Sequence, residues 1–331
     1  MMERRRFIEV IAGGLLAAPL VTAAAQPPEK MPRVGYISPG FPSDPVRLRR
    51  FEAFQQGMRE LGYVEGRNLS IEPRWAGDQY DRYRALADDL VRLKVDVIVT
   101  LGGAATQAAQ QTTRTIPIVM SIATDPLGSG LVSSLAHPGG NITGTSMMAP
   151  DLVPKQLQLL KELVPKVSEV ALLWNPANPG SAAQVREAEG VARALKVRLH
   201  TLEARDPREI DRAFVAMTRQ QVGALVVLAD AVFINRRRQI ADFAANSRLP
   251  AVYGMSDYAD VGGLIVYGAS LVVMHRRAAI FVDKILKGTK PGDLPVEQPT
   301  TFELIINLKT AKAIGLTIPA SLRQRADQLI E

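Results

Sequence analysis

The residue types best able to do chemistry in this chain sit in short polar or glycine-containing clusters that follow apolar runs. Leu101-Gly102-Gly103-Ala104-Ala105-Thr106 follows the apolar run 95–101 and opens a helical stretch. Two glycines there let backbone N–H groups approach an anion at a helix N-terminus. The segment is neither G-x-G-x-x-G nor a Walker A loop, because Gly-Lys-Ser/Thr is missing. It reads as an oxygen- or carboxylate-binding turn, or as a purely structural tight turn. Comparable clusters are Ser38-Pro39-Gly40, Ala123-Thr124-Asp125-Pro126, Trp174-Asn175-Pro176-Ala177-Asn178, Ala229-Asp230, Tyr253-Gly254-Met255-Ser256-Asp257 and Tyr267-Gly268. Each alone can be a capped turn, since Asn and Asp hydrogen-bond their own backbone. Asp230 is the best single candidate for meeting a cationic ligand group. It follows the apolar run 224–228, so it is partly desolvated and needs a partner. The competing role for it is a cap on the helix that follows.

A catalytic constellation is hard to assemble. The sequence has no G-x-S-x-G elbow, no H-E-x-x-H and no cysteine. A disulfide framework, a Cys-zinc site and a thiol nucleophile are thereby excluded. The three histidines, His137, His200 and His275, lie far apart and read as non-catalytic. No metal site, no cofactor and no enzymatic activity are expected. Aromatic residues make up 5% of the chain, too few for a nucleic-acid stacking platform. The formal charge of +7 includes the runs 236–238 and 275–277, which read as exposed faces of helices. No nucleic-acid partner is expected.

The elements that must position these clusters alternate regularly. Strands are expected over 33–37, 69–73, 95–101, 116–120 and 142–145, with helices over 44–61, 81–93 and 104–112 between them. Phe51, Phe54, Met58 and Leu61 show the helical spacing in the first helix. The second half repeats the scheme, with strands over 169–174, 197–202, 224–228, 251–253, 264–267 and 302–306. Helices are expected over 153–163, 182–195, 206–221, 234–247 and 272–286, with a helical tail at the end. This pattern predicts an α/β protein with two Rossmann-like parallel-sheet lobes joined by a hinge. The expected division is 33–147 plus 272–295 for lobe 1, and 148–271 plus 296–331 for lobe 2. The chain is expected to cross between lobes near 147–150, 268–272 and 291–299. Ligands of open α/β sheets bind beyond the carboxyl ends of the strands, which would line a shared cleft.

The first residues read as a targeting signal. Arg4-Arg5-Arg6-Phe7-Ile8 precedes an apolar stretch over 10–21 and Ala23-Ala24-Ala25. This has the basic, apolar and small-residue parts of a secretory signal of the twin-arginine type. Residues 1–25 are expected to be removed, with 26–32 as a linker. With no cysteine there is no lipid anchor, and a soluble periplasmic protein is expected.

Several blocks together resemble a known family. They are Lys94-Val95-Asp96-Val97-Ile98-Val99, Thr115-Ile116-Pro117-Ile118-Val119, Asp125-Pro126-Leu127-Gly128 and Pro138-Gly139-Gly140-Asn141-Ile142-Thr143-Gly144. To these add 172–178, Gly262-Gly263-Leu264, Asp283-Lys284-Ile285-Leu286-Lys287-Gly288 and the run from Leu294 to Ala311. In this order they resemble the ABC-transporter substrate-binding protein family that includes tryptophan/tyrosine-type binding proteins. The resemblance implies a type I periplasmic binding fold, a small-molecule ligand trapped between lobes, and ABC permease and ATPase subunits as partners. It implies a monomer that docks transiently at the membrane. It places Ser38, Gly103, Ala104 and Thr106 on the side of a ligand carboxylate and Asp230 on the side of an ammonium. Asp125, Asn175, Asn178, Tyr253, Ser256 and Gly268 complete the candidate ligand-binding set, with Tyr253 and Trp174 as the available aromatic walls. Two other readings share the fold: a periplasmic sensor that hands its closed form to a receptor, and an exported α/β hydrolase.

Overall fold

Val97–Leu101 and Ile118–Ala123 are apolar runs buried along their whole length, as strands covered on both faces of a parallel sheet must be. In the computed structural model, which describes residues 31–77 and 79–331, they are the centre of the first of two sheets. That sheet contains β1 (Arg33–Ser38), β2 (Ser70–Trp75), β3 (Val97–Leu101), β4 (Ile118–Ala123) and β5 (Ile142–Ser146), in the order β2-β1-β3-β4-β5. All of its pairings are parallel. Helices α1 (Pro45–Glu60), α2 (Arg82–Arg92) and α3 (Gly103–Thr112) connect its strands. Asp44 caps α1 through the Val46 N–H, and Pro45 occupies the first helical position.

The second sheet has the order β12-β11-β10-β9-β8-β6-β7. Its strands are β6 (Glu169–Trp174), β7 (Arg198–Glu203), β8 (Ala224–Val227), β9 (Ala251–Tyr253), β10 (Ile265–Gly268), β11 (Glu303–Asn307) and β12 (Gln328–Ile330). Around it lie α4 (Ala149–Leu163), α5 (Ser181–Ala194), α6 (Pro207–Arg219), α7 (Ala231–Asn235), α8 (Arg237–Asn246), α10 (Leu308–Ala313) and α11 (Ala320–Arg325). Each sheet carries a buried apolar layer on both faces.

The long helix α9 (Leu271–Leu286) follows β10 of the second sheet but packs on the first. Its Ala278, Ala279, Phe281, Val282 and Ile285 join Phe54 and Met58 of α1 in one buried cluster. At Gly57 the two helices come so close that an added Cβ would meet the Arg276 carbonyl oxygen at 2.5 Å. The chain therefore passes between the sheets after β5, after β10, and again between α9 and β11. The last passage runs beside β5, where Glu297 N–H donates to the Gly144 carbonyl and Ser146 N–H to the Glu297 carbonyl, both at 2.9 Å.

Three expectations need correction. The second sheet is not parallel throughout, because β11 runs antiparallel to β10, with Ile265 opposite Ile306. The chain leaves β10 at its carboxyl end, visits the first sheet, and re-enters at that same end, so β11 must point the other way. The expected helix over 234–247 is two helices broken at Arg236, because Asp230 caps a helix that starts at Ala231. The tail is not purely helical, since it closes on β12, parallel to β11.

Candidate ligand-binding site

A narrow cavity of about 30 Å³ lies between the carboxyl ends of the two sheets. From the first sheet it is lined by Pro39, Leu101, Gly102, Ala104, Ile122 and Thr124, and by Arg47, Tyr80 and Tyr83 from α1 and the start of α2. From the second come Asn178, Ala229, Asp230, Ala231 and Met255, and Met147 lies at the first passage between the sheets. Such a volume holds a water or two and no more, so a larger ligand enters only when these walls separate.

Asp230 sits where the buried strand β8 runs out, and it is 2% exposed. Its Oδ1 accepts from Val232 N–H at 2.8 Å and Asn175 Nδ2 at 3.1 Å. Its Oδ2 accepts from the Tyr80 hydroxyl at 2.6 Å and Asn178 Nδ2 at 3.1 Å. Burial pushes its pKa up, and the four hydrogen bonds only partly oppose that. The capping role is therefore real, and it coexists with a place on the cavity wall. Burial and the neighbouring carboxylate hold the Tyr80 hydroxyl well above the ordinary range, so it stays protonated and donates.

Opposite, Gly102 takes φ 93°, a left-handed conformation that glycine adopts freely, and so starts α3. No side chain caps α3 there, and the turn faces the cavity through Gly102 and Ala104. Arg47 is 1% exposed. Its Nε and Nη2 donate to Asn235 Oδ1 at 3.1 and 2.6 Å, and Nη2 also to the Ala231 carbonyl at 3.1 Å. Further ties join the two halves. The Thr124 hydroxyl donates to Asn178 Oδ1 at 3.3 Å, Arg237 pairs with Asp44 at 2.9 Å, and Arg50 pairs with Asp257.

Of the candidate set, Ala104, Asn178 and Asp230 line the cavity, and Asn175 stands directly behind Asp230. Gly103 approaches Asn178, whose Oδ1 would lie 3.8 Å from an added Cβ. The other six do not line it. The Ser38 hydroxyl donates to the Pro39 carbonyl, and the Thr106 hydroxyl is turned to Thr100 and the Gly102 carbonyl. Asp125 closes its own turn on Gly128 N–H. Tyr253 is buried and stacked on Tyr258 at 4.1 Å, Ser256 begins a short 3-10 turn, and Gly268 abuts Gly254. The aromatic walls are Tyr80 and Tyr83, with ring centroids 5.6 Å apart, rather than Tyr253 and Trp174. Sequence reasoning missed Arg47, Tyr80 and Tyr83. One signal was available for Arg47: with Arg50 and Phe54 it follows helical spacing along the buried stripe of α1. Among the described residues no acidic, histidine or cysteine cluster could hold a metal.

Two open α/β sheets with facing carboxyl ends and a cavity between them are the arrangement of a two-lobe binding protein. Residues 40–330 match the family model of the ABC transporter substrate binding protein, and the chain belongs to that family. It is 24% identical over 329 residues to a tyrosine-binding protein of Clostridioides difficile (strain R20291), covering 96% of this chain and 94% of that one. A conserved domain protein of Vibrio cholerae superposes with a TM-score of 0.85 at 26% identity, over 91% of this chain and 100% of the other. A Streptococcus pneumonia ABC domain in complex with L-Trp does so at 0.83 and 27% identity, over 90% and 99%. The fold and the family are those that the sequence resemblance implied.

Proposed function

We propose that this chain is the extracytoplasmic receptor of an ABC importer for an α-amino acid, with aromatic amino acids the first to test. The observation that supports this best is Asp230, a buried carboxylate on the cavity wall, braced by Asn175 and Asn178 and without an ion-pair partner among the described residues. A ligand ammonium would supply the missing positive charge. In this reading Tyr80 yields Oδ2 to the incoming ammonium and, with Tyr83, walls the side chain. The α3 N-terminus at Gly102, Gly103 and Ala104 faces the carboxylate. The relatives named for tyrosine and bound to L-Trp support the aromatic choice.

The rest of the proposal follows from the family. The receptor works as a monomer, closes its two lobes on the ligand, and hands it to a permease driven by an ATPase. Residues 1–25, which lie outside the described residues, act as the export signal. Among the described residues no helix is long and apolar enough to cross a membrane. The test is calorimetric titration of the mature chain with L-tyrosine and L-tryptophan after a thermal-shift screen of all twenty amino acids. A ligand at 100 times its Kd raises stability by about 2.7 kcal/mol, so binders are readily seen. Binding of sugars or polyols with no response to any amino acid would reject the proposal.

A further inference from the structure

The cavity has a second buried charge that the strand-end logic does not supply. Arg47 projects from α1 and lines the same cavity as Asp230. Its surroundings differ from those of Arg50, the other buried arginine. It has no carboxylate within ion-pair distance among the described residues, whereas Arg50 pairs with Asp257 and Arg237 with Asp44. Among the described residues its hydrogen bonds go to the Asn235 amide oxygen and the Ala231 carbonyl, both neutral. It also lies beside another cation: burial, then the neighbouring Arg50 charge, pull its guanidinium down to about 10, against the weaker opposing pull of the more distant Asp257 and Asp44 carboxylates. A buried cation without a counter-ion is costly.

We infer that Arg47 is the carboxylate anchor of the ligand, so that the site selects molecules bearing a free carboxylate beside an amine. This rests on the amino-acid reading above and deepens it. Arg47 belongs to the first lobe and Asp230 to the second, so one zwitterion would neutralise a bare charge on each wall and join the lobes. Neutral sugars and polyols leave both charges unpaired and are rejected for that reason. The α3 N-terminus gives the same carboxylate backbone donors, while Arg47 supplies the full charge.

The experiment compares the parent with Arg47→Gln, Arg47→Lys and Asn235→Ala. Each is titrated with the tightest-binding L-amino acid and with that amino acid's α-amide, which keeps shape and ammonium but loses the carboxylate charge. Circular dichroism and melting curves establish that each variant folds. Losing one member of a buried charge pair weakens binding by about 30-fold to several thousand-fold. The parent should therefore prefer the acid over the amide by about that factor, and in Arg47→Gln the preference should fall toward one. Arg47→Lys should restore part of it. Asn235→Ala removes the tie between the lobes but not the charge, and should keep the preference. If Arg47→Gln weakens acid and amide equally, Arg47 only latches the lobes and the inference is overturned. If the parent binds no amino acid but binds a simple carboxylate in an Arg47-dependent way, the amino-acid reading fails while Arg47 stands. If no carboxylate binds, both fail.

Discussion

Asp230 is a carboxylate taken out of water and given four hydrogen-bond donors but, among the described residues, no ion-pair partner. Its raised pKa has two consequences with a definite sign. In the native state it holds its proton to higher pH than in the unfolded chain, so it favours the fold at low pH and that contribution is lost as pH rises through the native value. A bound ammonium needs the ionised form, so amino-acid affinity should fall as pH is lowered through that value, above the ordinary aspartate range. Titrations at stepped pH check this, and a flat profile in that range would place the ammonium elsewhere. Asp230→Ala should abolish measurable binding and also lower the melting temperature, since the α7 cap is lost at a cost of about 0.5–2 kcal/mol. Asp230→Asn should be milder on both counts. His275 gives the opposite pH sign. It is fully buried with Nδ1 at the Leu271 carbonyl oxygen, and burial followed by the Arg50 charge depresses its pKa to about 3. Unfolding frees it to take a proton, so stability should fall as pH drops from 6.5 toward 3, by at most about 1.4 kcal/mol per pH unit. His275→Gln should flatten that slope in urea melts. Asp230 and Asn178 were legible in the sequence because they follow buried strands. Arg47 was marked only by its place with Arg50 and Phe54 on one helical stripe, because an arginine on a helix reads as solvated until its neighbours are known, and its hydrogen-bond partners come from residues 231 and 235. Tyr80 and Tyr83 were hidden for a similar reason, since the Tyr80 hydroxyl finds its acceptor in Asp230, 150 residues further along the chain.

At the level of elements, the period of the apolar residues was informative wherever an element has one wet face or none. The fully buried strands β3 and β4 and the helices α1 and α6 follow from it. Asp206 and Pro207 begin α6 as cap and first residue, and the Asp206 carboxylate accepts from Glu209 N–H at 2.9 Å. Asp206→Ala should cost about 0.5–2 kcal/mol, visible as a lower melting temperature with unchanged affinity. The direction of β11 was not legible, because strand polarity depends on where the chain has been since β10. Nor was β12, a three-residue edge strand with exposed side chains and no apolar alternation to announce it. The packing of α9 on α1 has one sharp test. Gly57→Ala would drive a methyl group into the Arg276 carbonyl and the Ala279 side chain. Backbone cannot yield as a side-chain tip does, so a loss of about 1–3 kcal/mol is expected. A melting temperature equal to the parent's would show that the two helices slide apart freely.

For the whole molecule, the decisive quantity is how closely the two halves approach. Gly180, just before α5, would place a Cβ 2.1 Å from the Thr124 hydroxyl of the other half. Its own backbone is at φ −85°, which alanine adopts without strain. Gly180→Ala should thus leave each half intact while opposing their approach by about 1–3 kcal/mol. Binding would weaken by about 5- to 150-fold, and small-angle scattering with ligand should give a larger radius of gyration than the parent's. An unchanged affinity would mean that ligand is held with the halves further apart than described here.

The placement of α9 also governs the order in which this chain can mature. The first sheet is finished at residue 146, yet the face that α1 covers in part stays incomplete until residues 278–285 have been made. A ribosome delivers the chain from its N-terminus, so the part of this cluster that α9 closes must wait through the synthesis of more than a hundred further residues. The half that comes first is thereby not self-sufficient until long after its last strand has been made. A truncated chain ending at residue 150 should be cut rapidly by protease, while adding residues 271–286 as a separate peptide should slow that cleavage. A holding chaperone would find its binding surface on the nascent first half, and would lose it only when the chain is nearly complete.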